Sequence, residues 1–217
     1  MKSWHKLLPD YQFMLWDTNR FPLDQSVWVK EAFDSKKYAF AADYIRLYAV
    51  YNYGGIYLDC DVEVFKSFDD LLELPYFIGG EAYDSRWEIA AFGAEKACRW
   101  VRHCLDYYKD RHFVMEDGCL DMKPMPDVLK EVISKNYKIK SIGQIDEFER
   151  NDELFNIFPN DWFCAHINTQ PDRSNNLQYI VSDNTYCVHH FANSWLKINR
   201  TRKYLRGILM KMGLLKY

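Results

Sequence analysis

Asp59 and Asp61, in the run Leu58-Asp59-Cys60-Asp61-Val62, are the residues whose types and spacing most directly offer chemistry. On a strand, successive side chains alternate, so residues two apart project from one face. Two carboxylates about 4 Å apart repel by roughly 4 kcal/mol at an effective dielectric of about 20. A divalent cation between them removes that repulsion, and Mg²⁺ or Mn²⁺ favours carboxylate oxygens together with substrate phosphates. Such a metal also screens the charge that develops on a departing nucleoside diphosphate. A bare Asp-x-Asp is more often a solvated surface pair, so the surrounding elements must decide.

Those elements are well marked on the N-terminal side. Residues 38–53 carry Ala41, Ile45, Tyr48 and Ala49 at helical spacing, and Gly54-Gly55 supply the stop. Asp43 and Arg46 lie one helical turn apart on this helix and share a face, where the plain alternative is an exposed ion pair of about 0.2–0.5 kcal/mol. Residues 56–65 alternate as one strand: Ile56, Leu58, Cys60, Val62 and Val64 face one way, and Tyr57, Asp59, Asp61 and Glu63 face the other. Coarser patterns predict strands at 11–17, 76–80, 88–92, 137–142 and 186–191. Helices are predicted at 94–109 and 126–136, with a weak one at 25–33. In the last strand His189 and His190 face opposite sides, so only one of them points into a site. Alternating helices and strands predict a single α/β domain with a mixed central sheet flanked by helices.

Composition narrows the field further. Hydrophobic residues make up 48%, enough for a sizeable core, and the net charge of −3 argues against broad nucleic-acid binding. Aromatic residues reach 17%, which core packing explains first and a ring-lined groove for sugars or bases second. The six cysteines include no Cys-x-x-Cys pair, the start has no apolar leader, and no apolar stretch reaches the length of a membrane span. The expectation is reduced thiols in a cytoplasmic protein.

Two segments, Ala42-Asp43-Tyr44-Ile45-Arg46-Leu47-Tyr48 and Tyr53-Gly54-Gly55-Ile56-Tyr57-Leu58-Asp59-Cys60-Asp61-Val62, resemble the DxD region of a glycosyltransferase family. This family includes the yeast mannosyltransferases and bacterial capsular polysaccharide enzymes, and the glucosylating clostridial toxins carry a similar stretch. Val188-His189-His190-Phe191-Ala192-Asn193-Ser194-Trp195 is similar to the family's C-terminal HH-F-x-x-SW element, and the early WHKLLPDYQFMLWD resembles its second strand and the approach to it. The resemblance implies a GT-A-like domain over residues 1–195 and a basic amphipathic tail over 196–217. It implies a metal-dependent, retaining glycosyltransferase that uses a nucleotide-sugar, with UDP-sugars commonest, and a glycan or lipid-linked acceptor, as in capsular polysaccharide synthesis. Asp59 and Asp61 would bind metal and diphosphate, and His189, preferred over His190, would complete the shell around Mn²⁺ or Mg²⁺. Asp43 and Arg46 would contact the donor's sugar and ribose, Tyr57 would pack beside the nucleotide, and Ser194 and Trp195 would touch the diphosphate.

Alternatives remain at this point. The run IYLDCDV also satisfies the hhhhDxDx[TV] pattern of haloacid-dehalogenase-type phosphohydrolases, in which Asp59 would be the nucleophile. The family's usual opening strand, of the form IPKIIHxxWFGG, lies ahead of the segment with which this sequence begins. The expectation is a fragment of an active enzyme, the alternative an inactive relative that binds glycan or nucleotide without transfer. In the tail, Arg200, Arg202, Lys203, Arg206 and Lys211 interleave with Leu205, Ile208, Leu209 and Leu214, a pattern for resting on anionic lipid at the inner face of a bacterial membrane or for packing on the domain itself.

Overall fold

The computed structural model describes residues 2–80, 87–164, 166–167 and 179–190. The basic tail lies outside the described residues. In chain order the elements are α1 (Lys2–Leu7), α2 (Val27–Asp34), α3 (Tyr38–Tyr53), β1 (Gly55–Leu58), β2 (Val62–Val64), β3 (Tyr76–Phe77) and β4 (Ala91–Ala94). Then follow α4 (Arg99–Tyr108), α5 (Met125–Asn136), β5 (Lys138–Ser141), β6 (Leu154–Ile157), α6 (Asn160–Phe163), β7 (His166–Ile167), β8 (Tyr179–Ile180) and β9 (Cys187–His189). The architecture is mixed α/β, as expected.

β4 is the hub of the larger sheet, pairing antiparallel with β1 on one side and β3 on the other. A parallel bridge between Gly79 and Phe158 ties the exit of β3 to the exit of β6, which pairs in parallel with β5. A separate antiparallel ribbon joins β2 to β9 in the register Val62↔His189, Glu63↔Val188 and Val64↔Cys187. That register brings a C-terminal histidine beside the Asp-x-Asp run.

α3 has the predicted bounds because its stop is structural. Gly54 sits at φ 71°, a conformation that side chains disfavour, and its N–H bonds Val50 O to close the helix. The helix is buried over much of its surface: Phe40, Ala41, Asp43, Arg46, Leu47, Ala49 and Val50 are all inside, while Ile45 and Tyr48 are half-buried. α2 begins at Val27, where the Ser26 hydroxyl caps it by accepting the Val29 N–H.

Three sequence expectations are corrected. The single strand at 56–65 is two strands, because the chain turns at Asp59-Cys60-Asp61, with Val62 N–H bonding back to Asp59 O at 3.0 Å. Cys60 is consequently exposed at the turn rather than aligned with Val62 and Val64. Residues 11–17 are extended without strand pairing, and Phe13, Met14 and Leu15 are exposed. The helix predicted from residue 94 starts only at Arg99, because Ala94 pairs with both Gly55 and Tyr76 and Ala97 takes φ 62°, outside helical geometry. The approach to residues 11–17 includes helix α1, pinned by the Trp4 Nε1–H bond to Val62 O.

Most rings pack in two apolar clusters. One surrounds Trp28, Phe92, Phe113 and Phe155 between the helices and the larger sheet. The other surrounds Phe68, Phe77, Phe163 and Tyr186 beneath the β2–β9 ribbon. Each fully buried ring contributes about 1.5–3 kcal/mol relative to exposure, so the aromatic excess is chiefly a property of the core.

Candidate metal centre

The turn after β1 carries the two carboxylates past each other. Asp59 continues the β1–β4 pairing by one bond, its N–H to Ala90 O at 2.7 Å. Asp61 is held from the other side, its carbonyl accepting the His190 N–H at 3.1 Å. One ligand atom each from Asp59, Asp61 and His189 lie within 4.8 Å of one another. His189 Nε2 is 3.6 Å from Asp61 Oδ1. His190 turns its ring to the exposed Glu63, 3.0 Å away, so of the two histidines it is His189 that faces the aspartates. Two carboxylate oxygens and one imidazole nitrogen are a donor set suited to Mn²⁺ or Mg²⁺. The residues therefore fit a divalent cation, which would take one atom from each.

Asp59 is fixed from beneath. The Tyr57 hydroxyl donates to its Oδ1 at 2.5 Å, and Arg46 Nη1 lies 3.5 Å from the carboxylate. Arg46 spends its other donors on Asp43 at 3.1 Å, Ile89 O at 3.0 Å and Ala42 O at 3.4 Å, with the guanidinium stacked 4.8 Å from the Tyr57 ring centre. Both Asp43 and Arg46 are almost fully buried, so the exposed-pair alternative does not hold. Burial pushes the Asp43 carboxyl up and Arg46 pulls it down, with a net rise. Burial opposes charge on Arg46, but Asp59, Tyr57 and Asp43 outweigh it and keep the guanidinium charged. Burial also holds the Tyr57 hydroxyl well above its ordinary pKa, so it remains a donor.

Behind His189 stands Glu88, which the sequence analysis did not single out. It is 2% exposed, its carboxylate lies 3.3 Å from His189 Nδ1, and Oε1 accepts the Ala90 N–H at 2.6 Å. Burial alone would raise its pKa, but the hydrogen bond and charge of His189, the Cys164 thiol and the Ala90 N–H bring it below the ordinary value. Burial likewise disfavours charge on His189, yet Glu88, then Asp61 and Asp59, lift its pKa. Nothing in the local pattern around Glu88 signals this role, because the partner arrives from β9. Ser194 and Trp195 lie outside the described residues.

The fold and the site together present a carboxylate–imidazole cluster that could hold a cation, on an α/β domain. Residues 1–78 match the family described as the glycosyltransferase sugar-binding region containing the DXD motif. The chain is 37% identical over 81 residues to inositol phosphoceramide mannosyltransferase 3 of Schizosaccharomyces pombe, covering 36% of this chain and 23% of that protein. It is 34% identical over 76 residues to a mannosyl phosphorylinositol ceramide synthase of Saccharomyces cerevisiae, covering 33% of this chain and 20% of that one. Glucan organizing enzyme 1 of Cryptococcus neoformans is 54% identical over 52 residues, 24% of this chain and 14% of its own. A solved structure, PaToxG Glycosyltransferase, aligns over 55% of this chain and 44% of its own with a TM-score of 0.38 and 20% identity. Residues 1–78 thus resemble the DxD sugar-binding region of this glycosyltransferase family, and the match spans under a quarter of the length of these curated relatives. That match favours glycosyl transfer over the phosphohydrolase alternative.

Proposed function

We propose that the chain is a metal-dependent, retaining glycosyltransferase domain of GT-A-like form, moving a sugar from a nucleotide-sugar to a glycan or lipid-linked saccharide. The observation that carries this reading is the convergence of Asp59, Asp61 and His189 from well-separated parts of the sequence. A divalent cation bound there, Mn²⁺ or Mg²⁺, would neutralise the donor's diphosphate as charge builds on it. The chain's own work is orientation: Tyr57 and Arg46 hold Asp59, the β2–β9 ribbon holds Asp61 and His189, and Asp43 fixes Arg46.

The nearby carboxylates are already engaged: Glu88 with His189, Asp43 with Arg46, and Glu63 with His190. This favours front-face transfer, in which the departing diphosphate accepts the proton of the acceptor hydroxyl. An inverted product anomer in proton NMR would reject that route. UDP-sugars are the first donors to try. The names of the fungal relatives, which speak of mannosyl transfer to inositol phosphoceramide, add GDP-mannose and a lipid acceptor to the screen. A bacterial capsular setting, by contrast, draws on the sequence resemblance alone. A cytoplasmic or inner-membrane-face location is part of the proposal and is tested by fractionation. No helix among the described residues is long and apolar enough to cross a membrane.

The test is calorimetric titration of UDP and then GDP into the chain with and without Mn²⁺, beside Asp61→Ala. Binding that requires Mn²⁺ and is lost in Asp61→Ala supports the reading. Mn²⁺-independent binding, or binding that survives in the variant, rejects it. Binding without turnover of any donor would make the chain a non-transferring relative.

A further inference from the structure

We infer that Glu88 is a positioning residue for the metal-binding histidine: its carboxylate fixes the His189 ring with the proton on Nδ1 and leaves Nε2 as the ligand atom. This rests on the metal reading of the site given above. The ring has two nitrogens on different edges, and they face different things. Nδ1 lies 3.3 Å from the Glu88 carboxylate, and Nε2 lies 3.6 Å from Asp61 Oδ1 on the metal side. A neutral imidazole has one N–H donor and one lone-pair acceptor, and an ionised carboxylate only accepts. The hydrogen bond to Glu88 therefore selects the Nδ1–H tautomer, and the Nε2 lone pair points to the cation.

Glu88 is itself held in place. Its backbone N–H bonds Gly79 O at 2.8 Å, its Oε1 takes the Ala90 N–H at 2.6 Å, and it is 2% exposed. A carboxylate removed from water to this degree is costly unless paired, and His189 is the ionisable base that contacts it. Its carboxylate serves three donors: the Ala90 N–H on Oε1, His189 Nδ1–H at 3.3 Å and the Cys164 thiol. In Glu88→Gln one carbonyl oxygen remains for these donors, and the new amide sets N–H against one of them.

The experiment measures Mn²⁺ affinity by electron paramagnetic resonance for the unmodified chain, Glu88→Gln, His189→Ala and the double variant, with thermal melts to confirm folding. The expected result for Glu88→Gln is about 10–100-fold weaker Mn²⁺ binding. In the His189→Ala background the same change should alter affinity by less than about twofold, because the positioning has nothing left to act on. Unaltered affinity in Glu88→Gln, or an equal loss in both backgrounds, overturns the inference while leaving the metal site standing. Absence of Mn²⁺ binding by the unmodified chain overturns the metal reading and this inference with it. Should Glu88→Gln fail to fold, ¹⁵N-histidine NMR of the unmodified chain with Mg²⁺ decides. An Nδ1-protonated His189 with unprotonated Nε2 supports the assignment, and the opposite tautomer overturns it.

Discussion

Replacing Arg46 with Met keeps a stem of similar shape and removes the guanidinium from the floor of the site. The structure makes the consequence large. The ion pair with Asp43 at 3.1 Å is lost, as are the bonds to Ile89 O and Ala42 O and the contact with Asp59. An exposed pair at this spacing would be worth about 0.2–0.5 kcal/mol. Removing one partner of a buried pair costs about 3–5 kcal/mol, and Arg46 and Asp43 are 6% and 7% exposed. The lower end applies, because burial already pushes the Asp43 carboxyl up and it can take a proton once the guanidinium is gone. We expect a loss of about 3 kcal/mol at neutral pH, shrinking toward acid pH as Asp43 becomes neutral. The assay is urea unfolding followed by tryptophan fluorescence, with midpoints compared at constant slope. Asp43→Asn combined with Arg46→Met should cost about 1–3 kcal/mol less than the sum of the single changes. A single-variant loss below about 0.5 kcal/mol would refute the argument, since that is the range of a solvated helix pair.

Two further changes test the fold around the site. A Cβ at Gly93 would fall 2.3 Å from the Phe77 ring, which stacks between Phe68 and Phe163. Gly93→Ala should therefore destabilise by about 1–3 kcal/mol, read as a lowered melting temperature, and an unchanged melt would show that the ring yields freely. The Glu31 carboxylate accepts the Phe113 and Val114 N–H groups at 2.8 and 3.0 Å and meets His112 Nδ1 at 2.7 Å. Burial works to raise its pKa, but these partners outweigh it and leave the pKa below the ordinary 4.5. A depressed carboxyl contributes stability that is present above its unfolded pKa and is lost as pH falls through the folded one. Glu31→Gln should thus cost about 1–3 kcal/mol at neutral pH and flatten the decline in melting temperature below pH 4.5; parallel declines in the two proteins would reject the assignment.

The helix that carries Asp43 and Arg46 was legible because its signals are local: apolar spacing along α3 and a glycine at positive φ to end it. The strand at 56–65 misled for an equally local reason. Strict alternation continues through Asp59-Cys60-Asp61, and only the capture of residues 62–64 by β9 shows that the chain has turned. Glu88 was invisible because its meaning depends on a ring delivered by that same ribbon.

The turn also changes what an Asp-x-Asp pair means here. On one continuous strand both carboxylates would move as a unit with one sheet. In this fold Asp59 is referenced to β4, Tyr57 and Arg46, whereas Asp61 is referenced to β9 through the His190 N–H. The two pieces of chain also belong to different sheets, β1 pairing with β4 in the larger one and β2 with β9 in the ribbon. A cation taking both aspartates and His189 would therefore cross-link the larger sheet to the β2–β9 ribbon. Since any ligand that binds only the folded state stabilises it, metal binding should protect β9 amides from hydrogen exchange as well as those of the turn.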